Sequence, residues 1–209
     1  MPGRRGRSPG SAGDPHDTGD HDREQPSPEA AARQICYRLL ALAPRTRAQL
    51  ADALRRRGVA DDVADAALDQ LADARLIDDP AFAKAWVESR HYGRGLSRRS
   101  LSAELRQRGV DGDDIDKAME TLDPEQEVET ARRLVERRIA ATRGQPADAR
   151  IRRVAGMLAR KGYPPGLTFR LIREALEAER ASETGDTVAL DDGCVLDDAD
   201  AFDDAGWTP

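Results

Sequence analysis

The chain has 209 residues, enough for one or two domains, and carries 33 Lys and Arg against 39 Asp and Glu, a net charge of −6. Charged residues make up 34% of the sequence and aromatic residues only 4%, which argues against an enzyme with a compact, aromatic-rich core. This composition favours a helical protein with thin cores and a wide solvated surface.

The elements follow in chain order. Residues 1–28 are rich in Gly, Pro, Ser, Asp and Arg, and we interpret them as a disordered N-terminal tail. Helical periodicity then continues almost without a break and predicts nine helices, at 29–43, 46–57, 61–75, 80–92, 97–108, 112–122, 124–142, 147–161 and 165–180. Residues 181–209 carry nine acids and no base and are predicted to form a flexible acidic tail, whereas residues 29–180 carry 29 basic and 25 acidic side chains.

The same pattern of residues occurs three times, centred on Gly58, Gly109 and Gly162, which lie 51 and 53 residues apart. Apolar residues stand eight and four positions before each glycine: Leu50 and Leu54, Leu101 and Leu105, Val154 and Leu158. Such a period indicates stacked copies of one unit. The predicted fold is therefore all-α, an elongated array of three tandem three-helix repeats (29–79, 80–123 and 124–180) with disordered tails.

The first helices of the repeats align as well. Ala31, Phe82 and Val135 stand 27 residues before their glycines, and Ile35, Trp86 and Ile139 stand 23 before. A step of four residues places each pair on one helical face, so we expect these residues, together with Tyr37 and Cys36, in the core.

Local signals mark the helix ends. Thr46 with Gln49 has the capping-box spacing, and Ser97 is a plausible N-cap. The three glycines each follow a run of long side chains and precede an apolar residue, as expected of the left-handed position just past a helix. Gly58, Gly109 and Gly162 are therefore predicted to be structural, as are Phe82 and Trp86.

The strongest candidate for a binding site is a basic cluster between residues 90 and 108. Its six arginines face a single acid, Glu104, and they are Arg90, Arg94, Arg98, Arg99, Arg106 and Arg108. Guanidinium groups suit phosphates because their planar donors can bond bidentately, and Tyr92 could stack on an exposed base. The alternative interpretation is a solvated helical face, which most charge runs are.

Repeat three holds a second basic cluster, for which binding and plain surface are equally open interpretations. Residues 124–180 carry 13 basic and 8 acidic side chains, and the candidates for contact are Arg152, Arg153, Arg160 and Lys161. The run Arg55–Arg57 in repeat one lies at a helix end, where the negative end of the helix dipole favours positive charge, and we interpret it as surface.

The residues that carry a family resemblance lie mostly in repeat two. They are Phe82-Ala83-Lys84-Ala85-Trp86, Arg90, Gly93-Arg94-Gly95, Ser97-Arg98-Arg99 and Leu101-Ser102-Ala103-Glu104-Leu105-Arg106-Gln107-Arg108-Gly109-Val110. Leu76-Ile77-Asp78-Asp79 and Leu158-Ala159-Arg160-Lys161-Gly162-Tyr163 extend the likeness to the neighbouring segments. The chain resembles the RecX family, bacterial regulators of the RecA recombinase, over about residues 30–180.

The resemblance implies three tandem three-helix modules that bind in the groove of a RecA filament on single-stranded DNA. It implies a non-catalytic effect on DNA repair, recombination and the SOS response: inhibition of filament growth, strand exchange, ATP hydrolysis and coprotease function. The partners expected are the RecA filament and single-stranded DNA, with duplex DNA bound weakly.

The expected protein is a cytoplasmic monomer that uses no cofactor, metal or membrane. Two cysteines, Cys36 and Cys194, make no disulfide framework, and no apolar run reaches the roughly 20 residues of a membrane span. No zinc-protease motif and no phosphate-binding P-loop motif is present, so an enzyme is not expected.

Two alternatives remain. The first is a helix-turn-helix regulator of duplex DNA with residues 97–108 as its recognition helix, and the second is a scaffold that binds proteins alone. The acidic tail is interpreted as a solubilising end; a sharper hypothesis has it compete with DNA for the basic groove.

Overall fold

The computed structural model describes residues 27–185, and within that range every regular element is an α-helix. The helices are α1 (Pro28–Leu42), α2 (Arg47–Arg55), α3 (Asp61–Asp73), α4 (Asp79–Arg94), α5 (Arg98–Gln107), α6 (Gly112–Glu120), α7 (Pro124–Ala140), α8 (Ala147–Arg160) and α9 (Pro165–Gly185). They confirm the predicted all-α fold, and α9 extends five residues beyond its predicted end. The remainder of the predicted tails lies outside the described residues.

Each consecutive triple of helices forms one bundle with its own core. The first and third helices of a triple pack most closely, and the second helix packs against both. The residues four and eight positions before the glycines are fully buried in all three cores: Leu50, Leu54, Leu101, Leu105, Val154 and Leu158. Because residues four apart lie on one helical face, this spacing alone was enough to predict them.

Two expectations about the first core were wrong. In α1 the buried residues are Ala32 and Cys36, whereas Ala31 is exposed. A shift of one position turns a helical face by about 100°, so the alignment of the repeats misplaced this helix by one residue. Tyr37, which follows Cys36, is accordingly 42% exposed.

The three glycines end the second helix of each bundle as predicted. Their φ values are +76° at Gly58, +74° at Gly109 and +85° at Gly162, a region that side chains with a Cβ avoid. At Gly109 the glycine N–H donates to the carbonyl of Arg106 (3.0 Å), and the N–H of Val110 donates to that of Leu105 (3.1 Å). These two bonds satisfy carbonyls that the helix end would leave unpaired.

In repeats one and two, the N-cap of the second helix also holds the next repeat. The Thr46 hydroxyl, which completes the predicted capping box of α2, donates to the carbonyl of Arg108 at the end of α5 (2.6 Å). At the corresponding place in repeat two, the N–H of Ser97 donates to the carbonyl of Lys161 at the end of α8 (2.9 Å). The same junction is thus built twice, between the start of one second helix and the end of the next.

A carboxylate strengthens each junction. The N–H of Arg47, the first residue of α2, donates to Asp79, the first residue of α4 (2.9 Å). The N–H of Arg98, the first residue of α5, donates to Glu127 of repeat three (2.9 Å). The first N–H groups of a helix have no acceptor within the helix. These carboxylates therefore supply hydrogen-bond partners to N–H groups that would otherwise be buried without one.

The second junction has additional buried contacts. His91 is fully buried; its Nδ1 bonds the Leu96 carbonyl (2.9 Å), and its Nε2 lies 3.1 Å from the Thr130 hydroxyl on α7. A carbonyl can only accept, so Nδ1 carries the hydrogen, and in the neutral ring Nε2 then accepts from Thr130. The Tyr163 hydroxyl donates to the Gly95 carbonyl (3.1 Å), which ties α4 to repeat three as well.

A buried ion pair holds α9 in repeat three. Nη2 of Arg150 lies 2.6 Å from Glu179, and Nε of Arg143 lies 3.2 Å from the other carboxylate oxygen. Arg150 also donates to the Ile139 carbonyl of α7 (2.8 Å). Desolvation by itself raises the pKa of Glu179, but the hydrogen bonds from the two arginines outweigh it and lower the pKa below its ordinary value of 4.5.

Replacing Glu179 by glutamine is expected to lower the free energy of unfolding by about 2 kcal/mol at neutral pH, because Arg150 then stays buried without a counter-charge. The pKa of Glu179 is lower in the folded than in the unfolded chain. The wild-type advantage should therefore be complete above the unfolded pKa and shrink as the pH falls through the folded pKa. Urea denaturation across this acidic range measures it.

Glu177→Gln is the matched control, since the Glu177 side chain is 64% exposed and its nearest partner, Arg173, is 4.0 Å away. Equal stabilities of Glu179→Gln and Glu177→Gln at neutral pH would contradict the assigned role of the pair.

Candidate functional site

The predicted basic cluster extends over the end of α4, the link that follows it and the whole of α5. The structure divides its six arginines into two groups. Arg90, Arg98 and Arg108 are half-buried, whereas Arg94, Arg99 and Arg106 are exposed, as is Tyr92. The division matters because a guanidinium engaged inside the protein has fewer donors to offer a ligand.

Two of the half-buried arginines lie over the Trp86 ring. The guanidinium carbon is 4.2 Å from the ring centroid for Arg90 and 3.7 Å for Arg108. Trp86 donates its indole N–H to Glu104 (2.8 Å), and Nε of Arg90 lies 3.9 Å from the same carboxylate. Burial, followed by the charge of Arg90, lowers the pKa of Arg108. These side chains form an internal cation–π group between α4 and α5.

Phe82 and Trp86 are buried, as predicted for structural residues. Their rings stack with centroids 5.7 Å apart and an interplanar angle of 17°. The aromatic pair thus connects the bundle core to the two arginines above it.

Arg98 forms hydrogen bonds through both its backbone and its side chain. Its N–H donates to Glu127, and Nη1 donates to the Leu122 carbonyl just after α6 (2.7 Å). The side chain therefore fastens the start of α5 to the end of the same bundle.

Two of the exposed arginines, Arg94 and Arg99, border the second junction, and Arg106 is near the far end of α5. Arg99 and Arg106 are seven residues apart on α5, which places them on one face two turns apart. Arg94 ends α4, and its carbonyl accepts from the Lys161 ammonium (2.6 Å). Within residues 27–185, the side chains of Arg94, Arg99 and Arg106 have no acid partner. They form what we call the exposed arginine surface.

Tyr92 stands beside this surface. Its side chain is on the outside of α4 and is 66% exposed, and its hydroxyl donates to Gln126 of α7 (3.2 Å). The hydroxyl therefore holds the Tyr92 side chain across the second junction.

The second predicted cluster is on α8. Arg152, Arg153 and Arg160 are exposed, and Arg153 donates to Gln145 (2.6 Å). Lys161 is half-buried and bonds Arg94. The end of α8 therefore meets the exposed arginine surface through Lys161, while Arg152 and Arg153 lie two turns earlier on the helix.

Two arginines that were not predicted as site residues are buried: Arg45, which precedes α2, and Arg150. No group of three or more potential metal ligands comes together within residues 27–185. Among the described helices, none has the length and apolar character to cross a membrane.

Comparison with known proteins places these bundles in a family. Sequence models of three RecX domains match the chain in order: the first three-helix domain at residues 32–71, the second at 78–119 and the third at 125–172. A regulatory protein RecX from Thermobifida fusca is 61% identical over 150 residues, which cover 72% of this chain and 81% of the relative. The chain belongs to the RecX family of regulatory proteins.

The chain is also similar to other RecX proteins. The chain is 56% identical to one from Streptomyces coelicolor over 73% of this chain and 81% of the relative. A crystal structure of a regulatory protein RecX is similar with a TM-score of 0.62 at 25% identity, over 70% of this chain and 73% of that one. RecX from Lactobacillus salivarius, at 19% identity and a TM-score of 0.62 over 71% and 96% of the two chains, shares the fold.

The RecX domains coincide with the helix triples seen here. The basic cluster of α4 and α5 lies in the second RecX domain, and the arginines of α8 lie in the third. Arg45 and α2 lie in the first.

Proposed function

We propose that this RecX protein regulates RecA by binding in the groove of the RecA filament on single-stranded DNA. Binding inhibits filament growth, strand exchange, ATP hydrolysis and coprotease function, and so acts on DNA repair, recombination and the SOS response. The protein does this as a non-catalytic cytoplasmic monomer without a cofactor. Family membership supports the regulatory role, and the observation that carries the mechanism is the exposed arginine surface of α4 and α5.

The exposed arginines have the chemistry that a nucleoprotein groove requires. A guanidinium presents a planar set of donors to phosphate or carboxylate and remains charged at any physiological pH. Arg94, Arg99 and Arg106 have no acid partner in the described chain, so all their donors are available to a ligand. Tyr92 adds a ring on which an exposed base of single-stranded DNA can stack.

The half-buried arginines have a supporting role in this proposal. Arg90 and Arg108 keep α4 and α5 together over Trp86, and Arg98 keeps α5 on its own bundle. Their contribution to binding is to hold the helix that carries Arg99 and Arg106. Lys161 acts in the same way on Arg94 through its carbonyl.

The array explains how weak single contacts add up. Two junctions join the three repeats, so a ligand that contacts repeat two is also held near repeat three, whose α8 carries Arg152, Arg153 and Arg160. Contacts made by connected modules reinforce one another because the second binding event is intramolecular.

The alternative of a helix-turn-helix regulator is less favoured. In that mode the N-terminal residues of the recognition helix contact the base edges of duplex DNA. Here the start of α5 is occupied by repeat three, since Ser97 bonds Lys161 and Arg98 bonds Glu127. A sequence-specific footprint on duplex DNA would reverse this preference.

The proposal is tested by RecA-catalysed ATP hydrolysis that depends on single-stranded DNA. Substoichiometric amounts of this protein are expected to slow hydrolysis, because one bound molecule blocks growth of a filament that contains many RecA subunits. An unchanged hydrolysis rate with equimolar protein would refute the proposal. In the same assay at high salt, with RecA already assembled on the DNA, inhibition should be weaker, because phosphate contacts weaken steeply with salt.

A further inference from the structure

An arginine without a partner is buried in the first repeat. Arg45 lies in the link between α1 and α2, is only 8% exposed, and its Nε has no hydrogen-bond partner within the described residues. Removing a charged group from water without a counter-charge is costly, and most buried guanidinium groups are paired. Arg150, the other buried arginine, follows that rule with Glu179.

The charges around Arg45 are of the same sign. Arg56 and Arg57, at the end of α2, are close enough that their charges add to the effect of burial and lower the pKa of Arg45. Arg57 donates Nη1 to the carbonyl of Ala53 (3.0 Å), and Arg56 is exposed. Arg45 therefore lies just before the short helix α2, and Arg56 and Arg57 lie just after its end.

No carboxylate in the described chain balances them. The nearest acids along the sequence, Asp52 and Asp61, pair with Arg55, at 2.6 Å and 3.9 Å. Within residues 27–185 no ion pair involves Arg45, Arg56 or Arg57. The negative end of the α2 dipole stabilises the positive charges of Arg56 and Arg57. Its partial charge of about one half of an elementary charge is too small to balance three guanidinium groups.

We propose that Arg45, Arg56 and Arg57 form an oxyanion site that takes a phosphate group. The group comes either from a free phosphate ion or from the backbone of a nucleic acid. Phosphate suits the site because several guanidinium groups can each donate to its oxygens and because its charge offsets their mutual repulsion. The site is in repeat one, apart from the exposed arginine surface, and does not depend on RecA.

Thermal unfolding of the full-length protein tests the free-ion source. Sodium phosphate is compared with sodium chloride at equal pH and ionic strength, for wild type, Arg45→Gln and the control Arg33→Gln. Arg33 is in the same repeat, but its guanidinium already donates to Gln70 (2.7 Å). Ligand that binds the folded state alone raises the Tm, whereas general salting effects of phosphate act on all three proteins alike.

The expected result is a phosphate-specific rise in Tm that Arg33→Gln keeps and Arg45→Gln loses. In chloride, Arg45→Gln should be at least as stable as wild type, because an unpaired buried charge has been removed. Arg56→Gln, at an exposed position, is a second variant and should lose part of the rise. Equal rises in all four proteins would exclude the free phosphate ion as the source.

Binding of a fluorescent oligothymidylate at several chloride concentrations tests the nucleic-acid source. If the site holds a backbone phosphate, the slope of log affinity against log salt should fall in Arg45→Gln by about 0.7, the value for one phosphate of a single strand. An unchanged slope together with a lost phosphate-specific rise in Tm assigns the site to the free ion. Loss of neither effect overturns the site.

Discussion

Gly109→Ala is expected to lower the free energy of unfolding by about 2–4 kcal/mol, whereas Gly58→Ala should lower it by only about 1–2 kcal/mol. The two glycines have nearly the same φ, +74° and +76°, so the strain of placing a Cβ in the left-handed region is shared. A Cβ on Gly58 meets nothing within 4 Å, but one on Gly109 would overlap Ala48 of repeat one. The difference between the variants therefore measures the packing of the first junction.

Urea denaturation followed by circular dichroism gives both values, and Ala48→Gly completes a double-mutant cycle. Removing the methyl group of Ala48 should recover part of the loss in Gly109→Ala but none in Gly58→Ala. If the two alanine variants are equally stable, the first junction does not limit the residue at position 109.

Neutralising Arg94, Arg99 and Arg106 together to glutamine is expected to raise the concentration needed to inhibit RecA by about tenfold or more. Each lost phosphate contact removes about 0.7 from the salt slope of single-strand binding, so the slope of the triple variant should fall by roughly 2. The Tm and helicity should not change, because these side chains have no acid partner in the described part of the chain.

The matched control for this experiment removes three other exposed charges. Arg55, Arg170 and Arg173 each lie within 4.0 Å of an acid of their own repeat and lie outside the exposed arginine surface. Their triple glutamine variant should inhibit RecA as wild type does. Equal losses in both triple variants would mean that total charge matters and that the exposed arginine surface is not a specific site.

The triple variant keeps Arg98, because replacing this residue would change the stability of the protein as well as its binding. Arg98→Gln removes the bond from Nη1 to the Leu122 carbonyl that holds the start of α5. The sequence placed Arg94, Arg98 and Arg99 in one basic run, and nothing in their order distinguishes the arginine that is engaged from the two that are exposed.

The sequence by itself was sufficient to predict the architecture of the repeats. Thr46 and Gln49 predicted a capping box, and the spacing of Leu101, Leu105 and Gly109 predicted a helix, its buried face and its end. These features depend on groups within a few residues of one another, so a local pattern contains all the information needed. The order of three such patterns was also enough to recognise the RecX family.

The tertiary structure alone decided what the charged residues do. The Thr46 hydroxyl meets the carbonyl of Arg108, 62 positions away, and the side chain of Arg108 turns back over Trp86. Burial of Arg45 likewise depends on how α1 and α2 meet. Whether an arginine is engaged, exposed or buried without a partner is set by contacts between distant segments, and helical periodicity carries no information about them.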